Sequence, residues 1–431
     1  MTPTNVAASR RSALPSLFFA LAAAALPPPA HAQHCPGQWL PQNAGFNNSI
    51  YAMAVTTDGN LIVGGIFTAI GQTAANRVAR WDGITWSPLG QGIDGQVWAL
   101  AVLPNGHIIA GGNFFFMAAG QTIRGIAEWD GVAWRPMGGG LSGTTWALTI
   151  LNGEVIAGGN YSEPDKVRRW DAAAQVWRPV GSLAFDSSVY SLAALQNGDL
   201  VAGGNFAGVG IEPPNTIRRW DGTTWHAMQW GPLGGLIHSL LVTPSGDLYA
   251  GGQFSAAGTS SAHGVARRNG PDWAALGAGV DNRVHAMTLM QNGDLVVGGR
   301  FANAGGAPAS AISRWNGAAW SPLGSGLGGT TPYVLALAAL PNGELAVGGT
   351  FTTAGGNTTP NFARWRDAAP CYANCDCSVI APILNVSDMI CFMTKFAAGD
   401  PYANCDGSTT APTLNVNDYV CFLISYTAGC P

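Results

Sequence analysis

The chain has 431 residues, of which only 10% are charged against about 25% in an average soluble domain, and its 59 glycines are close to twice the usual share. This profile fits an all-β repeat protein, and the length leaves room for a large core. A formal net charge of -4 gives no electrostatic reason to attract phosphate backbones or anionic membranes, which excludes nucleic acid as a principal partner.

At the start of the chain, Arg10 and Arg11 precede an apolar stretch from Ala13 to Leu26, and Ala30-His31-Ala32 forms a small-residue cleavage site. Residues 1–32 are therefore expected to be a signal peptide, with Gln33 opening the mature protein. The stretch is too short for a transmembrane helix, which needs about 20 residues, and no later segment is apolar enough. Ser9-Arg10-Arg11 lacks the apolar residues that follow a twin-arginine pair, so Sec-type export is favoured. A secreted or cell-surface location agrees with the eight cysteines, all at Cys35 or from Cys371 onward, as structural disulfides in an oxidising compartment require.

From residue 50 the text repeats. A Gly-Gly pair follows an apolar run at Gly64, Gly111, Gly158, Gly203, Gly251, Gly298 and Gly348, with spacings of 47, 47, 45, 48, 47 and 50. The second unit gives the order: Val97 to Leu103, a Pro104-Asn105-Gly106 turn, His107 to Phe114, a loop, Ile126 to Trp129, an Asp130-Gly131 turn, then Trp134 to Met137. Four short strands joined by tight-turn residues, recurring every 40 to 50 residues or so, predict the blade of a β-propeller, and seven units predict seven blades. The paired glycines are expected where neighbouring backbones approach closely.

The phase of the repeat predicts how the ring closes. Late-strand tryptophans stand at Trp39, Trp86, Trp134, Trp177, Trp225, Trp273 and Trp320, and the preceding strand carries Trp81, Trp129, Trp170, Trp220, Arg268, Trp315 and Trp365. Trp39 has no partner before it and Trp365 none after it. The segment 38–41 is therefore expected to complete the last blade beside 362–366, leaving no open edge. An apolar run, Gly-Gly, an aromatic-Asp pair such as Trp81-Asp82 and a tryptophan such as Trp86 resemble the kelch repeat of galactose-oxidase-like propellers, from about Trp39 to Trp365. The copper-radical chemistry of that family is not expected, because no cysteine lies between Cys35 and Cys371 to form a tyrosine–cysteine cross-link.

Beyond residue 370 a second duplication begins. Tyr372-Ala373-Asn374-Cys375-Asp376 recurs as Tyr402-Ala403-Asn404-Cys405-Asp406, and Leu384 to Asp388 as Leu414 to Asp418, at an offset of 30. Each copy predicts a short helix capped by Ser387 or Asn417 and ending near Gly399 or Gly429. This loop-then-helix repeat resembles the dockerin module, which implies EF-hand-like calcium loops and a cohesin-like or cell-surface protein as partner. On that resemblance, Asn374, Asp376 and Asp388, with Asn404, Asp406 and Asp418, are the calcium ligands. Tyr372 and Tyr402 stand where the first aspartate belongs and Cys377 replaces the loop glycine, so a disulfide-stapled helical pair without metal is the other reading. A spacing of 16 pairs Cys375 with Cys391 and Cys405 with Cys421, and the pairing of Cys35, Cys371, Cys377 and Cys430 stays open.

One repeat position reads Tyr51, Trp98, Trp146, Tyr190, His238, His285 and Val334. Seven equivalent positions must form a circle, and its first six members are the expected ligand-binding residues, able to stack on sugar rings at a channel mouth unless they pack between blades. His238 and His285 fall in adjacent blades, where a shared metal is conceivable but no carboxylate is placed to help. The turn acids Asp58, Asp199, Asp247, Asp294 and Glu344 repeat, and serve turn geometry in this reading. The expected function is a monomeric, exported, non-catalytic binding or scaffolding protein whose C-terminal module docks it. The alternative is a glycan-processing hydrolase or lyase, with the irregular insertions Glu163 to Lys166 and Gly210 to Pro214 as the places for chemistry.

Overall fold

In the computed structural model the described residues are 37–42, 44–118, 120–163, 165–181, 185–206, 216–228, 232–233, 235–258, 260–270, 272–367, 385–398, 403 and 415–428. The chain divides into two units, Cys35–Ala368 and a second drawn from Met1–His34 and Ala369–Pro431. The expected signal peptide lies outside the described residues.

The larger unit is a β-propeller. Its described residues form seven four-stranded antiparallel sheets, accompanied by small two- and three-stranded outer hairpins. The first sheet runs Ile50–Val55, Leu61–Gly65, Val78–Trp81, Trp86–Pro88, each strand beside the next. In the last sheet, Gln38–Leu40 lies antiparallel to Phe362–Arg366, with Trp39 opposite Trp365. The two indoles pack edge to face at 5.3 Å, and Trp39 Nε1 donates to the Leu323 carbonyl at 3.0 Å.

That last bond recurs between neighbouring sheets. Trp134 Nε1 donates to Leu89 O, Trp177 to Met137 O, Trp225 to Val180 O and Trp320 to Leu276 O. These five late-strand tryptophans thus fill apolar space and satisfy their one donor on the sheet before, whereas Trp273 Nε1 is buried without a protein partner.

The glycine pairs have two separate causes. A Cβ on the first glycine would run into the inner strand of the following sheet: Val97 at Gly64, Thr145 at Gly111, Val284 at Gly251 and Ile50 at Gly348. On the second it would meet a carbonyl of its own sheet, Ser49 O at Gly65 or Gln96 O at Gly112. Those carbonyls precede a bulge that every first strand carries, between Ile50 and Ala52 or between Val97 and Ala99, for example.

Two sequence expectations change. In the second sheet the stretch after Phe114 is not a loop: Ile108–Ala118 and Gln121–Trp129 pair through a long hairpin, because Phe114 and Ile123 bury on one side. The turn acids also do more than shape turns. Asp58 pairs with Arg80, Asp199 with Arg219, Asp247 with Arg267, Asp294 with Arg314 and Glu344 with Arg364, joining each turn to the third strand. The second sheet inverts the order, with His107 on Glu128. The acids of the Trp-Asp turns do hold their turns: Asp82 accepts from the Ile84 and Thr85 amides, which lower its carboxyl to about 2.

The smaller unit contains α1 (Val386–Ala397) and α2 (Val416–Ala428). Phe392 and Phe422 are fully buried and stack at 4.1 Å. The cap of α1 is Asn385 rather than Ser387, since Asn385 accepts from the Ser387 amide while Asp388 accepts from the Asn385 amide at 2.8 Å. Asn415 and Asp418 repeat the second bond at 2.7 Å, which moves the start of α2 ahead of Asn417. Two acceptors on two otherwise orphaned amides make a reciprocal box, which the third-position acid permits and Ser387 alone does not. Cys391 and Cys421 are disulfide-bonded. Their expected partners Cys375 and Cys405, with Cys35, Cys371, Cys377 and Cys430, lie outside the described residues.

Candidate functional site

The bulge in each first strand builds the site. An extra residue against the second strand turns one side chain out of register, and these are Tyr51, Trp98, Trp146, Tyr190, His238 and His285. The seventh is Leu335, not Val334: the last bulge falls between Val334 and Ala336, and Val334 is buried against Gly298 of the sheet before it. The offset to the first glycine of the pair, 13 residues in five of the other six strands, also gives Leu335; Val334 stands one residue too early.

All seven line one cavity of about 210 Å³, with a ring of Ala or Ser one residue on and a ring of Leu or Met after that. The aromatic side chains form a belt, each touching the next. Tyr51 stacks on Trp98 at 3.9 Å, Trp98 lies 4.6 Å from Trp146, and Trp146 meets Tyr190 edge-on at 5.9 Å. Tyr190 stacks near His238 at 5.5 Å, and His238 lies 4.6 Å from His285. The six expected residues are therefore brought together, packed against one another as well as facing the channel.

Burial sets the chemistry of the belt. Desolvation, with the Arg283 guanidinium second, lowers His238 to about 4. Desolvation, then His238 and Arg283, lowers His285 to about 3, so both imidazoles are neutral at neutral pH. Burial also raises the Tyr51 phenol above its usual range. Trp146 Nε1, His238 Nε2 and Arg283 Nε are buried without a protein hydrogen-bond partner. No carboxylate lines this cavity, and no group of three or more metal-ligating side chains exists among the described residues.

Other expected sites separate. Glu163 accepts from the Ser142 hydroxyl at 2.7 Å and Lys166 donates to the carbonyls of Tyr161 and Glu163, so that insertion ties itself down locally. Residues 210–214 lie outside the described residues, as do Asn374, Asp376, Asn404 and Asp406. Asp388 and Asp418 are buried, each with a carboxylate oxygen on its own helix cap. Sequence reasoning missed a cleft of about 850 Å³ between the first two sheets, lined by Arg77, Asp94, Phe116, Met117, Trp129 and Trp134 among others. Its signal is the Phe114-Phe115-Phe116-Met117 run, which no other repeat contains.

A family profile described as a domain of unknown function, DUF5122 beta-propeller, matches residues 56–81 and 340–364, the glycine-pair and third strands of the first and last sheets. No curated protein matches the chain. Among solved structures, the extracellular domain of a hybrid two-component system of B. thetaiotaomicron is similar, at TM-score 0.51 and 10% identity. That match covers 77% of this chain and 39% of the other, so the chain spans well under half the length of that protein. Virginiamycin B lyase of Staphylococcus aureus gives TM-score 0.50 at 12% identity, covering 77% and 98%. At such identities the likeness is one of fold.

Proposed function

We propose that this protein is an exported, non-catalytic binding module, a seven-bladed propeller of kelch-like organisation that receives a small ring-shaped ligand group at the belted end of its channel. The observation that carries the reading is the belt itself. Six aromatic or imidazole side chains converge on one cavity, and two of them, Trp146 and His238, bring buried polar atoms without protein partners. Buried polar groups are nearly always hydrogen-bonded, and an orphan costs about 1–3 kcal/mol, so such atoms mark where an outside group bonds. The cavity is below the roughly 300 Å³ of sites that take drug-sized ligands, which restricts it to one ring or chain end. In this reading the helical pair serves docking to a cohesin-like or surface protein, with calcium held by the loops before α1 and α2.

The test is a glycan array and a hydrolysis screen of the chain from Gln33, with and without calcium, beside a Trp98→Ala, Tyr190→Ala variant of unchanged melting temperature. Saccharide binding that the variant loses supports the reading. Turnover of any glycan, or binding indifferent to the belt, overturns it. A chain ending at Ala369 is expected to keep ligand binding and lose surface attachment.

A further inference from the structure

The belt is flanked by one feature that the repeat does not require. At the level just before the bulge, the first and second strands oppose Gln96 to Asn113, Thr144 to Asn160, Leu236 to Gln253 and Tyr333 to Thr350, all neutral pairs. In the sixth sheet alone, two arginines stand there, Arg283 opposite Arg300. Like charges directly across an antiparallel pair destabilise a sheet, so this pair works against the fold unless an anion joins it.

Among the described residues no acid forms an ion pair with either arginine: Asp281 lines the same recess as Arg300, but its carboxylate accepts from the Ala302 amide and the Asn303 side chain. The ion pairs of the described residues leave out both Arg283 and Arg300, although arginines elsewhere in the propeller pair with acids. Arg283 Nε is buried without an acceptor. Arg300 is held over the Tyr333 ring, its guanidinium carbon 4.9 Å from the centroid, which fixes its position and uses none of its hydrogen-bond donors. Tyr333 continues the belt, 6.4 Å from His285, which places Arg300 next to the belt.

We infer that the belted end of the channel takes an acidic sugar residue, its carboxylate held by Arg283 and Arg300 and its ring set against the aromatic and imidazole side chains. This rests on the binding function proposed above and names the ligand class of the same site. A guanidinium offers a planar fork of donors that matches a carboxylate, and two of them compensate one another's charge only around an anion. Neutral imidazoles at His238 and His285 serve as hydrogen-bond partners to sugar hydroxyls without competing for the carboxylate. Neither arginine lines the cavity of about 210 Å³, and Arg300 lines a separate recess of about 370 Å³, so the cavity takes the ring of a single terminal uronate while its carboxylate stays at the rim.

Calorimetric titration of the full mature chain with trigalacturonate, its methyl ester and neutral galactotriose tests this. The free acid is expected to bind at least tenfold tighter than the ester. In Arg283→Gln and Arg300→Gln that margin of acid over ester is expected to vanish. The comparison of acid with ester on the unmodified protein needs no variant to fold. Equal affinity for acid and ester, or arginine variants that keep the margin, each overturn the inference, leaving a neutral-sugar site intact. Binding of no saccharide at all overturns the inference and the proposed function together.

Discussion

At the scale of single residues, each glycine of a pair answers to a different neighbour, and only the coordinates separate the two. Gly112 faces the Gln96 carbonyl, which belongs to a bulged backbone that cannot retreat, whereas Gly106 has a φ of +84° and open space around it. Gly112→Ala is expected to destabilise by about 3 kcal/mol through overpacking, and Gly106→Ala by about 1 kcal/mol through its left-handed backbone, as read from denaturant midpoints. The ion pairs divide in the same way. Glu344 is fully buried between Arg364 and Arg366, while Asp58 is 63% exposed beside Arg80. Glu344→Gln is expected to cost about 3 kcal/mol and Asp58→Asn under about 1 kcal/mol. The two belt histidines give a pH signature. Their folded values, about 4 and about 3, lie below the ordinary 6.5, so the unfolded chain takes up protons that the native state refuses. Stability from this source is complete above about 6.5 and declines as pH falls toward about 4 and below. A His238→Gln, His285→Gln variant is expected to flatten the loss of melting temperature between about pH 6.5 and 5; an unchanged slope would show that the histidines titrate normally.

At the scale of elements, two irregularities do what regular strands do not. The bulge in each first strand turns one extra side chain toward the axis, and the run of aromatics at that position was visible in the text from Tyr51 to His285. Its last member, Leu335, is not aromatic, so the run of residue types did not reach it, although its 13-residue offset from Gly348 matches that of Tyr51 from Gly64. The Arg283–Arg300 pair was invisible because the two lie 17 positions apart and meet only through strand register. In the smaller unit, the capping box of Asn385 with Asp388, and the Asn415 amide bonded to Asp418, start the helices ahead of Ser387 and Asn417, where the text had put the caps. The stacked Phe392 and Phe422 form the centre of that unit with Ala403. Phe422→Ala is expected to cost about 3–5 kcal/mol, enough to unfold a unit this small, while the propeller melts as before. Loss of helical circular dichroism with an unshifted main transition is the result to look for; a shifted main transition counts against two separate units.

At the scale of the whole molecule, the strand Gln38–Leu40 decides whether the last sheet has a free edge. A chain starting at Ala44 instead of Gln33 leaves Phe362–Arg366 unpaired on one side and removes Trp39, which is nearly buried and bonded to Leu323. Such an edge recruits other chains, so aggregation in size-exclusion chromatography and a lowered melting temperature are expected. A monomer of undiminished stability would mean that the strand contributes little. The sequence by itself determined the all-β class, the propeller, the order of strands within a repeat and the tryptophans left without partners, because these follow from local periodicity and turn chemistry copied along one chain. Only the tertiary structure decided which acids meet which arginines, which glycine faces which neighbour, and that two arginines stand opposed beside the belt. Those depend on register and on contacts between sheets, quantities that residues far apart in the chain set jointly and that no local pattern encodes.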